Sequence, residues 1–169
     1  MKKSLPPDDL NKPMGEAYEL LLEKALQKTH QTGAFVHDMI EEVRGEIIDL
    51  YKLGDDEVAK LEKYVRRDLI DAAHYLDKTG NLKDWLGFDV ALIKDEFWKR
   101  FSEAADQTTV SLNQLKLQAA KAEYHSGELV GLGTMVCDQC GQTLHFHKPG
   151  HIPPCPKCNN MHFHRQNYE

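Results

Sequence analysis

Cysteine is absent from the first 136 residues of this 169-residue chain, and proline is absent between Met14 and Lys148. The proline-free span permits long helices, because a proline costs about 3 kcal/mol inside one. Aromatic residues make up only 8% of the chain, which favours helices over a β-sandwich. No apolar run approaches the roughly 18 residues of a membrane span, and none follows Lys2 and Lys3. We therefore expect no membrane association, no signal peptide and a cytoplasmic protein.

Charge and motifs exclude further classes of protein. The net charge of −6 disfavours general binding of nucleic acid. Hydrophobic residues form 41% of the chain, which is enough for a buried core. The phosphate-binding, dinucleotide-binding and serine-hydrolase motifs are all missing from the sequence. We therefore expect no enzymatic activity.

Apolar residues at helical spacing predict four helices, over residues 14–31, 34–53, 55–80 and 89–124. Trp85 is expected to pack against them from a short turn. The run Thr108-Thr109-Val110-Ser111 forms helix poorly, so the fourth helix could break there. The predicted stripes of the first and third helices are Tyr18, Leu21, Leu22, Ala25 and Leu26, and Val58, Leu61, Val65, Leu69, Ala72 and Leu76.

The second predicted helix carries a heptad seam, which is typical of a coiled coil. Its members are spaced by four and three residues: Val36, Ile40, Val43, Ile47 and Leu50. Long helices with continuous apolar seams usually pack against a helix of a second chain. We therefore expect an antiparallel homodimer or, failing that, an extended monomer.

All four cysteines lie in the last 33 residues, as Cys137-x-x-Cys140-Gly and Cys155-Pro-x-Cys158 with 14 residues between the pairs. Two such turns close a tetrahedron around one metal ion, and four thiolates leave no position open for substrate. The pattern thus predicts one structural Zn²⁺ ion. Iron accepts the same geometry, but no redox partner site is visible in the helical region. Disulfides and redox chemistry are not favoured, because nothing indicates secretion or a βα unit.

The segments beside the cysteines, residues 134–136, 143–147 and 161–165, read as short strands. Period-two alternation places Phe146 and Phe163 on one face. The other face carries four histidines: His145, His147, His162 and His164. One interpretation is a small phenylalanine core with solvated histidines outside it. The other is a second metal or anion site, or a partner surface that responds to pH.

Together these patterns predict a mainly α fold: an elongated helical hairpin or bundle of three to four helices followed by a small β zinc ribbon. We predict a disordered tail over 1–13, a helical domain over 14–126 and the ribbon over 127–169. The helices can bury their stripes without metal. The ribbon has little apolar core, so its folding is expected to depend on the ion.

The ribbon sequence GTMVCDQCGQTLHFHKPGHIPPCPKC, with YELLLEKAL and DLIDAAHYLDKTG in the helical region, resembles the bacterial YbeL-like family of zinc-ribbon proteins. The likeness extends over most of the chain. It implies a helical N-terminal region followed by a zinc ribbon, and it leaves the biological role open.

A helical bundle followed by two cysteine pairs is also similar to rubrerythrin, whose bundle holds a di-iron site. Such a site needs Glu-x-x-His motifs. No histidine of the helical region, His30, His37, His74 or His125, has a glutamate three residues before it. Because Asp71-x-x-His74 is the nearest approach, we do not expect a di-iron enzyme.

The sequence therefore predicts a non-enzymatic zinc-binding adaptor or scaffold. In this interpretation the helices self-associate or hold a protein partner, and the ribbon presents a rigid surface. The alternative is a regulatory protein that contacts nucleic acid or the transcription machinery. Only Lys148, Lys157 and Arg165 are basic in the ribbon, which disfavours binding of nucleic acid through it. A third interpretation is a rubredoxin-like iron electron carrier.

Overall fold

The computed structural model describes residues 8–32, 43–115 and 123–166. Within these residues the protein is mainly α, with five α-helices followed by a region of short antiparallel strands. The helices are α1 (Asp8–Thr32), α2 (Arg44–Tyr51), α3 (Asp55–Thr79), α4 (Lys83–Leu86) and α5 (Asp95–Leu115), with a 3-10 turn at Val90–Leu92. No described helix is long and apolar enough to cross a membrane.

The helical core forms where the sequence predicts it. All residues of the apolar stripe predicted for the first helix are buried. All residues of the stripe predicted for the third helix are buried too, except Leu76, which is partly buried. Trp85 is also buried, stacked on Phe101 with ring centroids 5.5 Å apart. Each helix buries one stripe against the others because apolar side chains that recur every three or four residues share one face.

The helix boundaries differ from the prediction at several points. Helix α1 begins at Asp8 rather than Met14, so residues 8–13 of the predicted tail are helical. Helix α2 ends at Tyr51, because Lys52 adopts the left-handed conformation. The last helix begins at Asp95 rather than 89, behind the 3-10 turn. Residues 1–7 of the predicted tail, residues 33–42 around the start of the second predicted helix and residues 116–122 of the fourth predicted helix lie outside the described residues.

The fourth predicted helix is unbroken at the threonine run, where the sequence left a break open. Helix α5 continues through Thr108, whose hydroxyl donates to the carbonyl of Ala104 at 2.8 Å. This bond satisfies the threonine hydroxyl without breaking the helix. Tyr124, the predicted end of that helix, lies in a strand instead.

The heptad seam of the second predicted helix is partly used within the chain itself. Val43 and Ile47 are buried in the chain's own core, whereas Leu50 is 60% exposed. Val36 and Ile40 lie outside the described residues.

The sheet region, residues 123–166, contains six strands. They are β1 (Tyr124–His125), β2 (Leu129–Val130), β3 (Gly133–Cys137), β4 (Thr143–Phe146), β5 (Gly150–His151) and β6 (His162–Arg165). One antiparallel sheet has the order β1-β6-β3-β4, and β2 pairs with β5. The structure confirms strands at the three predicted segments, whereas β1, β2 and β5 are additional.

The sheet region and the helices share one core. Leu129 and Leu132 are fully buried in the same cluster as the apolar stripes of the helices. A second cluster lies within the sheet region and contains Met135, Phe163 and two of the cysteines. The regions that the sequence divides into a helical domain and a ribbon therefore contact each other through a shared core.

Candidate metal centre and its contact with the helices

The four cysteine sulfurs converge at one end of the sheet. Cys137 ends β3, Cys140 follows in the next turn, and Cys155 and Cys158 lie between β5 and β6. All four Sγ atoms lie within 4.8 Å of one another. The Sγ atoms of Cys137 and Cys158 are 3.5 Å apart, and those of Cys140 and Cys155 are 3.6 Å apart.

These distances fit a tetrahedral metal site. Four sulfurs about 2.3 Å from a zinc ion would lie about 3.8 Å from one another. A disulfide needs about 2.05 Å between sulfurs, and all four thiols are free. Among residues 8–32, 43–115 and 123–166, these cysteines are the one group of three or more ligand-type side chains close enough to hold an ion. The four predicted ligands can therefore hold a metal ion together.

Backbone N–H groups surround the sulfurs in both cysteine turns. The N–H groups of Gln139 and Cys140 donate to Cys137 Sγ at 3.4 and 3.5 Å. In the second turn, the N–H of Lys157 donates to Cys155 Sγ at 3.4 Å. These dipoles stabilise negative charge on sulfur, which is the state that binds metal.

Both turns close in the same way, just after their second cysteine. The N–H of Gly141 donates to the carbonyl of Cys137 at 3.1 Å, and the N–H of Asn159 donates to that of Cys155 at 2.8 Å. Gly141 and Asn159 both have positive φ, 80° and 67°. Glycine and asparagine tolerate this conformation best, which explains the glycine that the sequence places after Cys140.

The thiols differ in acidity in the absence of metal. Burial raises the pKa of Cys137, but the N–H groups of Cys140 and Gln139 outweigh it and lower the pKa to about 6. At Cys158 the N–H of Asn160 lowers the pKa, but burial and three neighbouring thiols raise it to about 12. A proton thus stays on the metal-free cluster at neutral pH, and a bound cation would replace it.

The histidines and phenylalanines occupy opposite faces of the sheet, as predicted. Phe163 is 2% exposed and Phe146 is half-buried against the same cluster. Three of the four histidines are exposed, and His164 is half-buried with its Nδ1 2.6 Å from Asp138 Oδ1. No described histidine belongs to a group that could hold a second metal ion.

We therefore expect His147→Gln and His164→Gln, together, to leave the bound metal at one equivalent per chain. The physical reason is that the four thiolates complete the coordination and the histidines are spread over the outer face. Elemental analysis of both proteins checks this. Loss of a second equivalent in the variant would instead support a histidine metal site.

A buried ionic cluster joins the sheet to the helices, and sequence analysis missed it. Arg165 ends β6 and is 2% exposed. Its Nη2 donates to Asp68 Oδ1 at 2.9 Å, and its Nε lies 2.6 Å from Asp71 Oδ2. Its guanidinium also lies over the Trp85 ring, 4.2 Å from the centroid. Burial lowers the pKa of Arg165, but Tyr124 and both aspartates outweigh it and raise the pKa, so the cation is stable.

Asp68 is fully buried and connects three parts of the chain. Its Oδ2 accepts hydrogen bonds from the Tyr18 hydroxyl of α1 at 2.7 Å and from the N–H of Gly131 at 2.8 Å. A Cβ atom on Gly131 would collide with the Tyr18 ring. Glycine at 131 thus permits the close approach that brings the sheet region to Asp68.

Arg165 also makes polar contacts within the sheet region. Its Nη1 donates to the carbonyl of Leu132 at 2.6 Å, and its Nε donates to the Tyr124 hydroxyl at 2.8 Å. Nearby, Arg67 pairs with Glu128 at 2.7 Å and lies over the Tyr124 ring at 4.0 Å from its centroid. The contact between sheet and helices is therefore polar and buried at its centre.

Two signals could have revealed this cluster from the sequence. Arg165 shares the inward face of β6 with Phe163, because they are two residues apart. Asp68 falls within the apolar stripe of α3 between Val65 and Leu69. An arginine and an aspartate at core positions need each other as partners, since a buried charge is costly unless it is paired. The nearest di-iron motif, Asp71-x-x-His74, instead uses its aspartate to bind Arg165.

A helical domain that carries an antiparallel sheet with four convergent cysteines defines a metal-binding protein of the zinc-ribbon class. Comparison with known sequences agrees: residues 23–167 match the family described as zinc-ribbon containing domain, and the chain belongs to that family. It is similar to the Uncharacterized protein YbeL of Escherichia coli strains K12 and O157:H7. Each is 32% identical over 136 residues, which cover 78% of this chain and 82% of the relative. The predicted YbeL-like resemblance is thereby confirmed. No solved structure matches.

Proposed function

We propose that Cys137, Cys140, Cys155 and Cys158 hold one structural Zn²⁺ ion. The convergence of their four sulfurs within 4.8 Å carries this proposal. Four thiolates fill a tetrahedral shell, so the ion would stabilise the fold without binding substrate. Zinc is favoured over iron because the sequence of the helical region has no Glu-x-x-His motif for a di-iron redox partner. The family description, which names a zinc ribbon, supports the same choice.

Elemental analysis of the purified chain tests the site. We expect one zinc equivalent and no visible absorption. A red protein with iron and charge-transfer bands would support the rubredoxin-like alternative instead. Absence of any bound metal, after purification without chelator and reconstitution with zinc under reducing conditions, would contradict both assignments.

Zinc affinity is expected to rise with pH. The metal-free cluster keeps a proton at Cys158, whose pKa is about 12, so zinc must displace it. The apparent affinity should therefore fall at least about tenfold for each pH unit of acidification. Below about pH 6 the thiol of Cys137 also takes a proton, and the dependence should become steeper. Competition titrations with a chelating dye between pH 5 and 8 measure this slope, and a flat profile would contradict the thiolate site.

We further propose that the chain is a non-enzymatic adaptor of the cytoplasm. Its closed metal site supports a role in presenting a surface rather than in catalysis. Met161, beside the second cysteine turn, is 52% exposed and gives the sheet region an apolar contact point. The homodimer expected from the heptad seam remains part of this proposal, with exposed Leu50 as its described contact residue.

A comparison of two baits tests the adaptor role. Full-length protein and its Met161→Glu variant, both zinc-loaded, would be used to recover partners from lysate in the presence of nuclease. We expect a protein partner that resists nuclease and is depleted with the variant. Thr143→Glu, at an exposed position of β4, adds the same single negative charge and is the control. Recovery that nuclease abolishes would favour the nucleic-acid alternative.

A further inference from the structure

We infer that Arg165 couples metal binding at the four cysteines to the stability of the helical core. Occupancy of the metal centre would then decide whether the sheet region stays docked on the helices. This inference rests on the proposed zinc site. It goes beyond that site because the bound ion would affect the stability of a helix that lies far from the cysteines in the chain. Arg165 and Asp68, which make the connection, are 97 residues apart.

The cysteine turns fix the position of strand β6. The amide nitrogen Nδ2 of Asn160 donates to Cys137 Sγ at 3.5 Å and to the carbonyl of His162 at 2.9 Å. The N–H of Asp138, in the first turn, donates to the same carbonyl at 3.0 Å. Phe163 lies directly opposite Cys137 in the pairing of β6 with β3. The start of β6 is therefore held by the atoms that surround the metal site.

The other end of β6 is held by the helices. Arg165 is two residues beyond Phe163, and its guanidinium reaches Asp68 and Asp71 of α3. If β6 left this position, Asp71 would lose its cation and Asp68 would keep only Arg67, whose Nε lies 3.5 Å from its Oδ1. Burial already raises the pKa of Asp71, although Arg165 opposes this effect. Breaking a buried pair by removing one partner is strongly destabilising, so undocking would also weaken α3.

The coupling has a reciprocal form. If docking makes zinc bind more tightly by some factor, zinc must favour docking by the same factor. Couplings of this kind usually span about 5-fold to 150-fold in affinity. Disrupting the Arg165 contact should therefore weaken zinc binding by a factor in this range, although Arg165 is not a metal ligand.

Hydrogen exchange and zinc titration of the full-length chain test the coupling. Removal of zinc by chelator should increase amide exchange in α3 and in residues 17–26 as well as in the sheet region. The variant Arg165→Met should bind zinc about 5-fold to 150-fold more weakly. Lys148→Met removes an exposed cation from the sheet region, so it is the matched control and should bind zinc as the wild type does.

The outcomes separate this inference from the proposed zinc site. A wild-type chain that binds no zinc overturns both. A chain that binds one zinc, with exchange in α3 unchanged on zinc removal, overturns the coupling and leaves the zinc site intact. If Arg165→Met does not fold, the double variant Arg165→Met with Asp68→Asn is measured instead, because it removes one of the two carboxylates that contact Arg165. The exchange measurement on the wild type needs no variant at all.

Discussion

Replacing Asp68 with alanine is expected to lower the free energy of unfolding by about 3–5 kcal/mol. Asp68 is fully buried and accepts hydrogen bonds from Tyr18, Gly131 and Arg165. Alanine would leave the Arg165 cation buried with only Asp71 as its carboxylate partner. Urea denaturation, followed by circular dichroism, measures the loss.

The exposed residue Asp77, on the same helix, provides the control. Asp77→Ala should change the unfolding free energy by no more than about 0.5 kcal/mol. Asp68→Asn keeps the size of the side chain and part of its hydrogen bonding, so its effect should fall between the two. An Asp68→Ala protein as stable as Asp77→Ala would show that the buried cluster contributes nothing to stability.

Cys140→Ser is expected to abolish stoichiometric zinc binding. Serine keeps the size of the side chain but lacks the thiolate that a structural zinc site requires. Without the ion the sheet region should unfold, because its own core is small and its folding is expected to depend on metal. If the helices were a separate module, the disorder would stay within about residues 131–169 and the helices would remain nearly intact. The shared core containing Leu129 and Leu132 now predicts a lower thermal midpoint for the helices as well.

Elemental analysis and thermal circular dichroism check the two parts of this prediction. Gln139→Ser is the matched control, because Gln139 lies in the same turn and contributes its backbone N–H to Cys137. Zinc content that survives in Cys140→Ser would contradict the ligand assignment. Zinc loss with an unchanged helical midpoint would show that the helices fold independently of the sheet region.

Local patterns were sufficient to predict the helices and the convergence of the four cysteines. The stripes of α1 and α3 repeat every three or four residues, and the two cysteine pairs have the spacing of metal turns. The strands at 134–136, 143–147 and 161–165 could also be predicted locally, because apolar and polar side chains alternate beside the cysteines. By contrast β1, β2 and β5 have two residues each, too few to show an alternating pattern.

Local patterns place Arg165 and Asp68 at inward positions, but they do not show that these two residues contact each other. The bond between them joins residues 97 positions apart. Their contact becomes visible only once β6 is paired with β3, where Met135 faces Arg165. Helix ends were missed for a related reason: backbone conformations such as that of Lys52 depend on the surrounding packing.

The strand order has a consequence for how the chain is made. Strand β6 lies between β1 and β3 in the sheet, although it is the last described strand to leave the ribosome. Until it emerges, Asp71 of α3 lacks its arginine, Asp68 has only the neighbouring Arg67, and β1 has no strand to pair with. Contacts between segments so far apart in the chain form slowly, because the long loop between them must close first. Before residue 165 is added, the chain can therefore form its helices, but the Asp71 carboxylate has no cation and the sheet lacks a central strand.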